Sequence, residues 1–208
     1  MQKATSYGVC GVCGTRTGKS AMAAHLRKCL AGAPADRLSA GLLLRVQAPG
    51  APMFWLDCAA HPEAKLKELD QLLRRTWLEC CGHLSAFSTT GRRNVSMSTA
   101  IGRALGAAAK RIDYEYDFGS TTALVVTCSG AVDVRNRNPV EVVARNEAPT
   151  WPCDACGKPA TTLCPDCLYD GGGFCCAAHA RKHACGTEML RPVVNSPRMG
   201  VCGYTGEE

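Results

Sequence analysis

Cysteine content constrains this chain more than any other feature of its sequence. Fifteen of its 208 residues are cysteine and five are histidine, and six of the cysteines stand in three Cys-x-x-Cys pairs, in segments that also contain a histidine. The sequence shows no apolar stretch of signal-peptide length at its start and no run near the roughly 20 apolar residues of a spanning helix. We therefore expect a cytoplasmic protein with no membrane partner, in which the paired cysteines bind zinc instead of forming disulfides.

The N-terminal cysteines have the spacing of a zinc finger. Two thiols separated by two residues are followed by a histidine and a cysteine four positions apart, which places that second pair on one face of a helix. Two such pairs can close a tetrahedron around a zinc ion. The predicted ligands are Cys10, Cys13, His25 and Cys29.

The C-terminal segment carries the strongest metal-binding pattern. Eight ligands in four consecutive pairs predict two zinc ions in a cross-brace, in which alternate pairs share an ion. A segment this short has too little core to fold alone, and structural zinc supplies on the order of 10 kcal/mol of folding free energy. The predicted ligands are Cys153, Cys156, Cys175 and His179 for one ion, with Cys176 as the alternative to Cys175, and Cys164, Cys167, His183 and Cys185 for the other.

Three zinc ions are thus predicted as cofactors, each held by four protein side chains, which leaves no open position for a catalytic water. The C-terminal spacing resembles the HIT and MYND zinc modules, with Cys164-Pro165-Asp166-Cys167 and Arg181-Lys182-His183 in matching places. Because those modules mostly bind proteins, the resemblance implies a protein partner for this segment.

The middle of the chain predicts an α+β domain. Segments 42–46, 53–56, 112–118, 123–126 and 140–144 have the composition or alternation of strands, while apolar residues recur at helical spacing between Pro62 and Cys80. A second, short helix is predicted over 99–108. The expected fold is a central mixed or antiparallel sheet with one main helix, flanked by an N-terminal zinc finger and a C-terminal cross-brace module. The predicted domains are 1–35, 36–148 and 149–208.

Acidic residues alternate along one of the predicted strands. Asp113, Glu115 and Asp117 would share one face, an arrangement that could bind a divalent cation or serve acid–base chemistry. The interpretation we favour is a solvated sheet face whose charge is countered by Arg135 or Arg137.

The remaining cysteines of the chain have weaker spacing. Cys80-Cys81-Gly82-His83 could place a reactive thiol beside a base, although small core residues and a turn histidine are the favoured interpretation. Cys58, Cys128 and Cys202 are predicted to be buried thiols. An enzyme that uses a cleft around His83 and the three acidic residues is therefore the alternative to a binding protein.

Positive charge is concentrated at the N-terminus. Residues 1–45 contain seven Lys and Arg and a single Asp, which accounts for the whole net charge of +6. The predicted finger therefore offers phosphate contacts to a nucleic acid. Three zinc sites with three thiolates each would lower the net charge to about +3, which weakens that attraction. The candidate nucleic-acid-binding residues are Arg16, Lys19, Arg27 and Lys28.

Two longer motifs resemble a known family. Trp77-Leu78-Glu79-Cys80-Cys81-Gly82-His83-Leu84-Ser85-Ala86-Phe87 and Tyr114-Glu115-Tyr116-Asp117-Phe118-Gly119 are similar to elements of the plasmid open-reading-frame-three-like (insertion-sequence passenger, TnpR-like) family. The resemblance covers residues 38–146, and the zinc-finger-bearing members share the flanking segments, including 193–206. It implies a compact α+β domain of mobile-element type with no established activity. The predicted function is a zinc-binding module for nucleic acid or protein.

Overall fold

The computed structural model describes residues 6–32, 38–106, 109–135 and 138–206. The chain forms two compact units, one made of residues 1–74 and 84–147 and the other of residues 75–83 and 148–208. The described finger residues, 6–32, therefore belong to the same unit as most of the predicted central domain. The fold class is α+β, with a large antiparallel sheet and few helices.

A nine-stranded antiparallel sheet dominates the described part of the first unit, in the order β2-β1-β9-β4-β3-β8-β7-β5-β6. The sheet includes four strands that the sequence patterns did not reveal, two of them in the finger. Its strands are β1 (Tyr7–Cys10), β2 (Arg16–Gly18), β3 (Leu38–Ala48), β4 (Ala51–Ala60), β5 (Ser85–Ser88), β6 (Asn94–Val95), β7 (Arg111–Tyr116), β8 (Thr122–Arg135) and β9 (Val140–Asn146).

The finger hairpin is part of this sheet. Strand β1 pairs with β2 on one side and with β9 on the other, with Val9 opposite Arg145. Gly8 lies so close to the indole of Trp55 and the carbonyl of Arg145 that a Cβ at this position would clash with both. The close approach of β1 to its neighbours therefore depends on a glycine.

Helix α1 (Lys19–Ala31) packs on the sheet. Its Met22, Leu26 and Leu30 recur four residues apart, so they form one apolar stripe, and all three are buried. They share a core with residues of five strands: Cys10, Leu43, Trp55, Ala59, Val132, Val134, Val143 and Ala144. The finger alone would bury too small a core, and its helix instead packs into the hydrophobic core of the sheet.

The predicted helix over 62–80 is shorter than expected. Helix α2 runs from Leu66 to Leu73, begins where the carboxylate of Glu68 accepts the N–H of Lys65 (2.7 Å), and continues as a π-helical turn over Arg74–Leu78. The second predicted helix is α3 (Ile101–Leu105); its expected last residues, 107 and 108, lie outside the described residues. Among the described residues, no helix has the length and hydropathy needed to cross a membrane.

Two buried carboxylates in the first unit are fully engaged by partners. Asp57 forms a two-pronged ion pair with Arg45, with N···O distances of 2.6 and 2.7 Å. Asp70 accepts hydrogen bonds from the hydroxyls of Tyr114 (2.8 Å) and Ser85 (2.6 Å) and pairs with Arg74 (3.0 Å). Each charge is therefore compensated in the interior, as burial requires.

The described part of the second unit contains little regular structure. A three-stranded sheet has the order β11-β10-β12, and no helix in residues 148–206 exceeds five residues. So short a set of elements cannot bury an extensive core, and cross-links are needed to hold it. The elements are β10 (Thr162–Leu163), α4 (Pro165–Tyr169), β11 (Phe174–Cys175), α5 (Ala177–Ala180), a 3₁₀ turn (Thr187–Met189) and β12 (Arg191–Pro192).

Candidate metal centres

The described residues contain four groups of side chains that could each hold a metal ion. Each group consists of three cysteines and one histidine, with all four ligand atoms within 4.8 Å of one another. Together they use twelve of the fifteen cysteines and four of the five histidines. The groups are the finger set (Cys10, Cys13, His25, Cys29), the first C-terminal set (Cys153, Cys156, Cys176, His179), the second C-terminal set (Cys164, Cys167, His183, Cys185) and a fourth set (Cys80, Cys81, His83, Cys202).

The spacing of the sulfur atoms fits a tetrahedral zinc ion. Zinc–sulfur bonds of about 2.3 Å and zinc–nitrogen bonds of about 2.0 Å give tetrahedron edges of about 3.8 Å between two sulfurs and about 3.5 Å between sulfur and nitrogen. Two sulfurs at such a separation are not joined by a disulfide, in which the S–S bond is roughly 2.05 Å. The observed Sγ–Sγ distances are 3.9 Å for Cys10–Cys29, 3.8 Å for Cys156–Cys176 and 3.6 Å for Cys167–Cys185.

The distances from sulfur to imidazole agree with the same tetrahedron. They also show which ring nitrogen faces the sulfurs in each set, Nε2 for His25 and His183 and Nδ1 for His179. The observed distances are 3.3 Å for Cys13–His25, 3.5 Å for Cys153–His179, 3.4 Å for Cys176–His179 and 3.6 Å for Cys167–His183. The donor sets therefore fit zinc in both chemistry and size.

The finger set is positioned by the hairpin and by helix α1. The turn between β1 and β2 is closed by backbone hydrogen bonds from Cys10 N to Thr15 O (3.0 Å) and from Gly14 N to Cys10 O (2.8 Å). That turn presents Cys10 and Cys13, while α1 supplies His25 and Cys29 one helical turn apart. The structure thus brings together all four residues that the spacing predicted.

The first C-terminal set differs from the predicted one at a single residue. Cys153, Cys156 and His179 lie together, but the fourth ligand atom belongs to Cys176 and not to Cys175. Cys175 ends strand β11, whereas Cys176 is the residue before helix α5 and stands three positions before His179. Adjacent residues of an extended chain point in opposite directions, so only one of the two cysteines can face the set.

Cys175 lies instead behind the second C-terminal set. Its buried sulfur is 3.7 Å from Nδ1 of His183, while Nε2 of the same ring faces Cys167 at 3.6 Å. Contacts to the second nitrogen of a ligating histidine fix the orientation of its ring. The second C-terminal set itself contains all four of its predicted residues.

The acidities of the thiols differ widely within the sets. A hydrogen bond with Thr15 lowers the pKa of Cys13 to about 6, whereas partial burial and the neighbouring sulfurs raise the pKa of Cys29 to about 12. In the second C-terminal set, contact with Cys185 and Cys164 raises the pKa of Cys167 to about 12. Thiolates packed this closely repel one another, and a divalent cation would supply the compensating charge.

Sequence reasoning missed the fourth set. Cys202, predicted to be buried, is exposed, and its sulfur lies 3.7 Å from the sulfur of Cys81 and 3.5 Å from Nε2 of His83. The run Cys80-Cys81-Gly82-His83 was a local signal, but its fourth member follows more than a hundred residues later. Of the other cysteines predicted to be buried, Cys58 is fully buried and Cys128 is partly so.

The acidic residues of the alternative enzyme site do not share one face. Asp113 pairs with Arg111 at 2.7 Å and Glu115 is exposed, but Asp117 lies beyond the end of β7. Asp117 is buried, has a φ of 64° and accepts the backbone N–H groups of Gly119 and Ser120 at 3.0 and 3.2 Å. Its carboxylate therefore stabilises a turn.

The remaining residues named with these carboxylates are the predicted countercharges and His83. The predicted countercharges, the side chain of Arg135 and the whole of Arg137, lie outside the described residues. His83 belongs to the second compact unit, where it joins the fourth set, while the acidic residues belong to the first unit.

Three of the four basic residues predicted to contact phosphates form ion pairs or hydrogen bonds within the first unit. Arg16 pairs with Glu147 at 2.6 Å, Lys19 donates to the carbonyl of Pro52 at 2.8 Å, and Arg27 donates to the carbonyl of Ser129. Burial also lowers the pKa of Lys19. Lys28 is exposed in the last turn of α1.

Comparisons with known proteins name no family for this chain. No family model matches it, and no curated protein matches it. Among solved structures it is similar to a protein of unknown function from Methanosarcina mazei Go1, with 16% identity, a TM-score of 0.42, and coverage of 57% of this chain and 75% of that one. The resemblance to the plasmid open-reading-frame-three-like family therefore stays a prediction.

Proposed function

We propose that this chain is a zinc-stabilised binding protein of mobile-element type and not an enzyme. The finger set and the two C-terminal sets hold three structural zinc ions. The observation that supports this most strongly is the composition of the sets, because four protein side chains converge in each and would leave a bound zinc ion no position for water or substrate. The two C-terminal sets replace the core that the short elements of the second unit cannot form.

The partner we propose is a protein that contacts the second unit near α4. Tyr169 is the last residue of this helix and is 90% exposed. Cys164 precedes the helix and Cys167 lies within it, so a bound ion would hold in place the helix that carries the tyrosine. Exposed aromatic side chains on a rigid support are typical of the residues that dominate protein interfaces.

Substituting Tyr169 by alanine tests this proposal. We expect partners captured by the purified, nuclease-treated protein to bind the Tyr169→Ala variant about tenfold less tightly, because the anchor of the interface is lost. The matched control is Phe118→Ala, which removes another exposed aromatic residue, 55% exposed, from the first unit. Metal content should be unchanged in both variants. Equal capture by Tyr169→Ala and wild type would contradict the proposed surface.

Nucleic acid is the second candidate partner, because all of the net positive charge lies in residues 1–45. For this candidate we expect binding only at low salt. Lys28→Ala should flatten the dependence of log K on log salt by about 0.9 on duplex DNA, since one phosphate contact is lost. Lys19→Ala is the control and should leave that slope unchanged, because Lys19 donates to Pro52. Titrations at several salt concentrations measure both slopes, and no binding by the wild type at low salt would remove this candidate.

A further inference from the structure

We propose that the fourth set, Cys80, Cys81, His83 and Cys202, binds a fourth zinc ion. This ion would tie the turn at residues 80–83 to the C-terminal segment 196–204 within the second unit. The site shares no ligand with the three that the spacing of the sequence predicted, and its occupancy does not depend on what partner the protein binds.

The donor geometry of the fourth set matches that of the other three. It contains the same three thiols and one imidazole, with all ligand atoms within 4.8 Å of one another. The sulfur of Cys202 stands 3.7 Å from that of Cys81 and 3.5 Å from Nε2 of His83. These are the edges expected for a tetrahedral zinc ion, about 3.8 and 3.5 Å. A disulfide between the two cysteines would leave the convergence of Cys80 and His83 unexplained.

The backbone of residues 79–83 is shaped to bring three ligands together. Gly82 has a φ of 70°, a conformation that glycine adopts without strain, so the chain reverses between Cys81 and His83. The N–H of Gly82 donates to the carboxylate of Glu79 at 2.7 Å, which closes this turn. Three of the four ligands are therefore presented by one short, internally bonded loop.

The C-terminal segment is anchored so that it supplies the fourth ligand. The hydroxyl of the buried Ser196 donates to the carbonyl of Trp77 at 2.6 Å, and the N–H of Arg198 donates to that hydroxyl at 2.9 Å. Farther along, Cys202 has a φ of 53°, a left-handed conformation that is strained for a non-glycine residue. Strain of this kind persists where the surroundings fix the residue, and here it directs the thiol of Cys202 to Cys81 and His83.

A buried arginine complements the charge of a metal-bound set. A zinc ion with three thiolates and a neutral imidazole carries a net charge of −1. Arg198 is completely buried, and its Nε donates to the sulfur of Cys80 at 3.4 Å. Hydrogen bonds from an outer group to a ligating atom are a regular feature of protein metal sites. The arginine thus donates a hydrogen bond to a ligand atom and supplies a positive charge next to the negatively charged zinc site.

The long separation of the ligands defines what the ion does. Cys81 and Cys202 are 121 positions apart in the chain. Residues 75–83 belong to the second unit, although in the sequence they separate the two segments of the first unit. A metal ion that joins them binds the folded chain and not the unfolded one, and so stabilises the association of two segments that share few regular elements. The fourth zinc is therefore a structural clamp within the second unit.

Native mass spectrometry of the intact, reduced chain tests this inference. We expect four zinc ions in the wild type, three in Cys202→Ser and four in Cys202→His, because histidine restores a ligand and tolerates a left-handed φ. Cys128→Ser, which changes a cysteine outside all four sets, is the matched control and should retain four. Three ions in the wild type, or equal counts in Cys202→Ser and wild type, would overturn the fourth site.

Alkylation of the wild type gives a second measurement. It needs no variant, so its result does not depend on whether a variant folds. Iodoacetamide should leave Cys81 and Cys202 unmodified in the zinc-loaded protein and modify both after chelation. If both react while three ions stay bound, the fourth site is overturned and the three structural zinc ions of the proposed function stand. If no zinc is bound at all, both are overturned. A Cys81–Cys202 disulfide in the purified protein would also overturn the site.

Discussion

Replacing Cys176 by serine will remove the zinc ion of the first C-terminal set and destabilise the fold around that set, whereas replacing the adjacent Cys175 will not change the zinc count. Cys176 lies 3.8 Å from the sulfur of Cys156 and 3.4 Å from the ring of His179, within the first C-terminal set. Without the ion, no helix longer than five residues holds that part of the chain together, and the binding free energy of a structural zinc is itself folding free energy.

Native mass spectrometry and limited proteolysis of both variants check this expectation. Cys175→Ser should retain every ion and resist proteolysis almost as well as the wild type, because Cys175 contacts only the outer nitrogen of His183 among the four sets. Loss of an ion from Cys175→Ser but not from Cys176→Ser would show that the ligand assignment is reversed.

Replacing Asp57 by alanine will destabilise the first unit by about 3–5 kcal/mol, because it leaves the guanidinium of Arg45 without its buried partner. Asp57 is fully buried and accepts two hydrogen bonds from Arg45, which also lies over the ring of Trp55 at 4.7 Å. Urea unfolding monitored by the fluorescence of the tryptophans measures the change in midpoint.

The control for this prediction is Glu147→Gln, which weakens the ion pair between Arg16 and Glu147. Both partners of that pair are exposed, so solvent screens the interaction and the midpoint should shift far less. Equal shifts in the two variants would contradict the role assigned to the buried pair.

Local spacing was sufficient to predict two of the candidate centres completely. Cys10 and Cys13 lie on one turn, and His25 and Cys29 lie on one face of a helix. In each pair, the spacing in the sequence therefore determines how close the two side chains are in space. The same holds for the second C-terminal set. In the first C-terminal set, adjacent cysteines at positions 175 and 176 have nearly equal sequence spacing, and only the end of β11 decides which of them faces the set.

Long-range pairing limited what else could be predicted. The fourth set joins residues near position 80 to Cys202, and no periodicity or spacing connects segments so far apart. Strands β1 and β2 were missed for a related reason, since hydrogen bonds with β9 stabilise a short segment that has weak strand character of its own. By contrast, β7 was evident because Ile112, Tyr114 and Tyr116 alternate with polar residues and bury one face.

X-ray absorption at the zinc edge of the purified, intact chain tests most directly whether these centres are closed structural sites. Every candidate set contains three sulfurs and one nitrogen, so the average coordination does not depend on how many sets are filled. We expect about three sulfur atoms at about 2.3 Å and one nitrogen at about 2.0 Å per zinc, with no oxygen ligand. An oxygen in the first coordination shell, or a protein that contains no zinc to measure, would contradict this expectation.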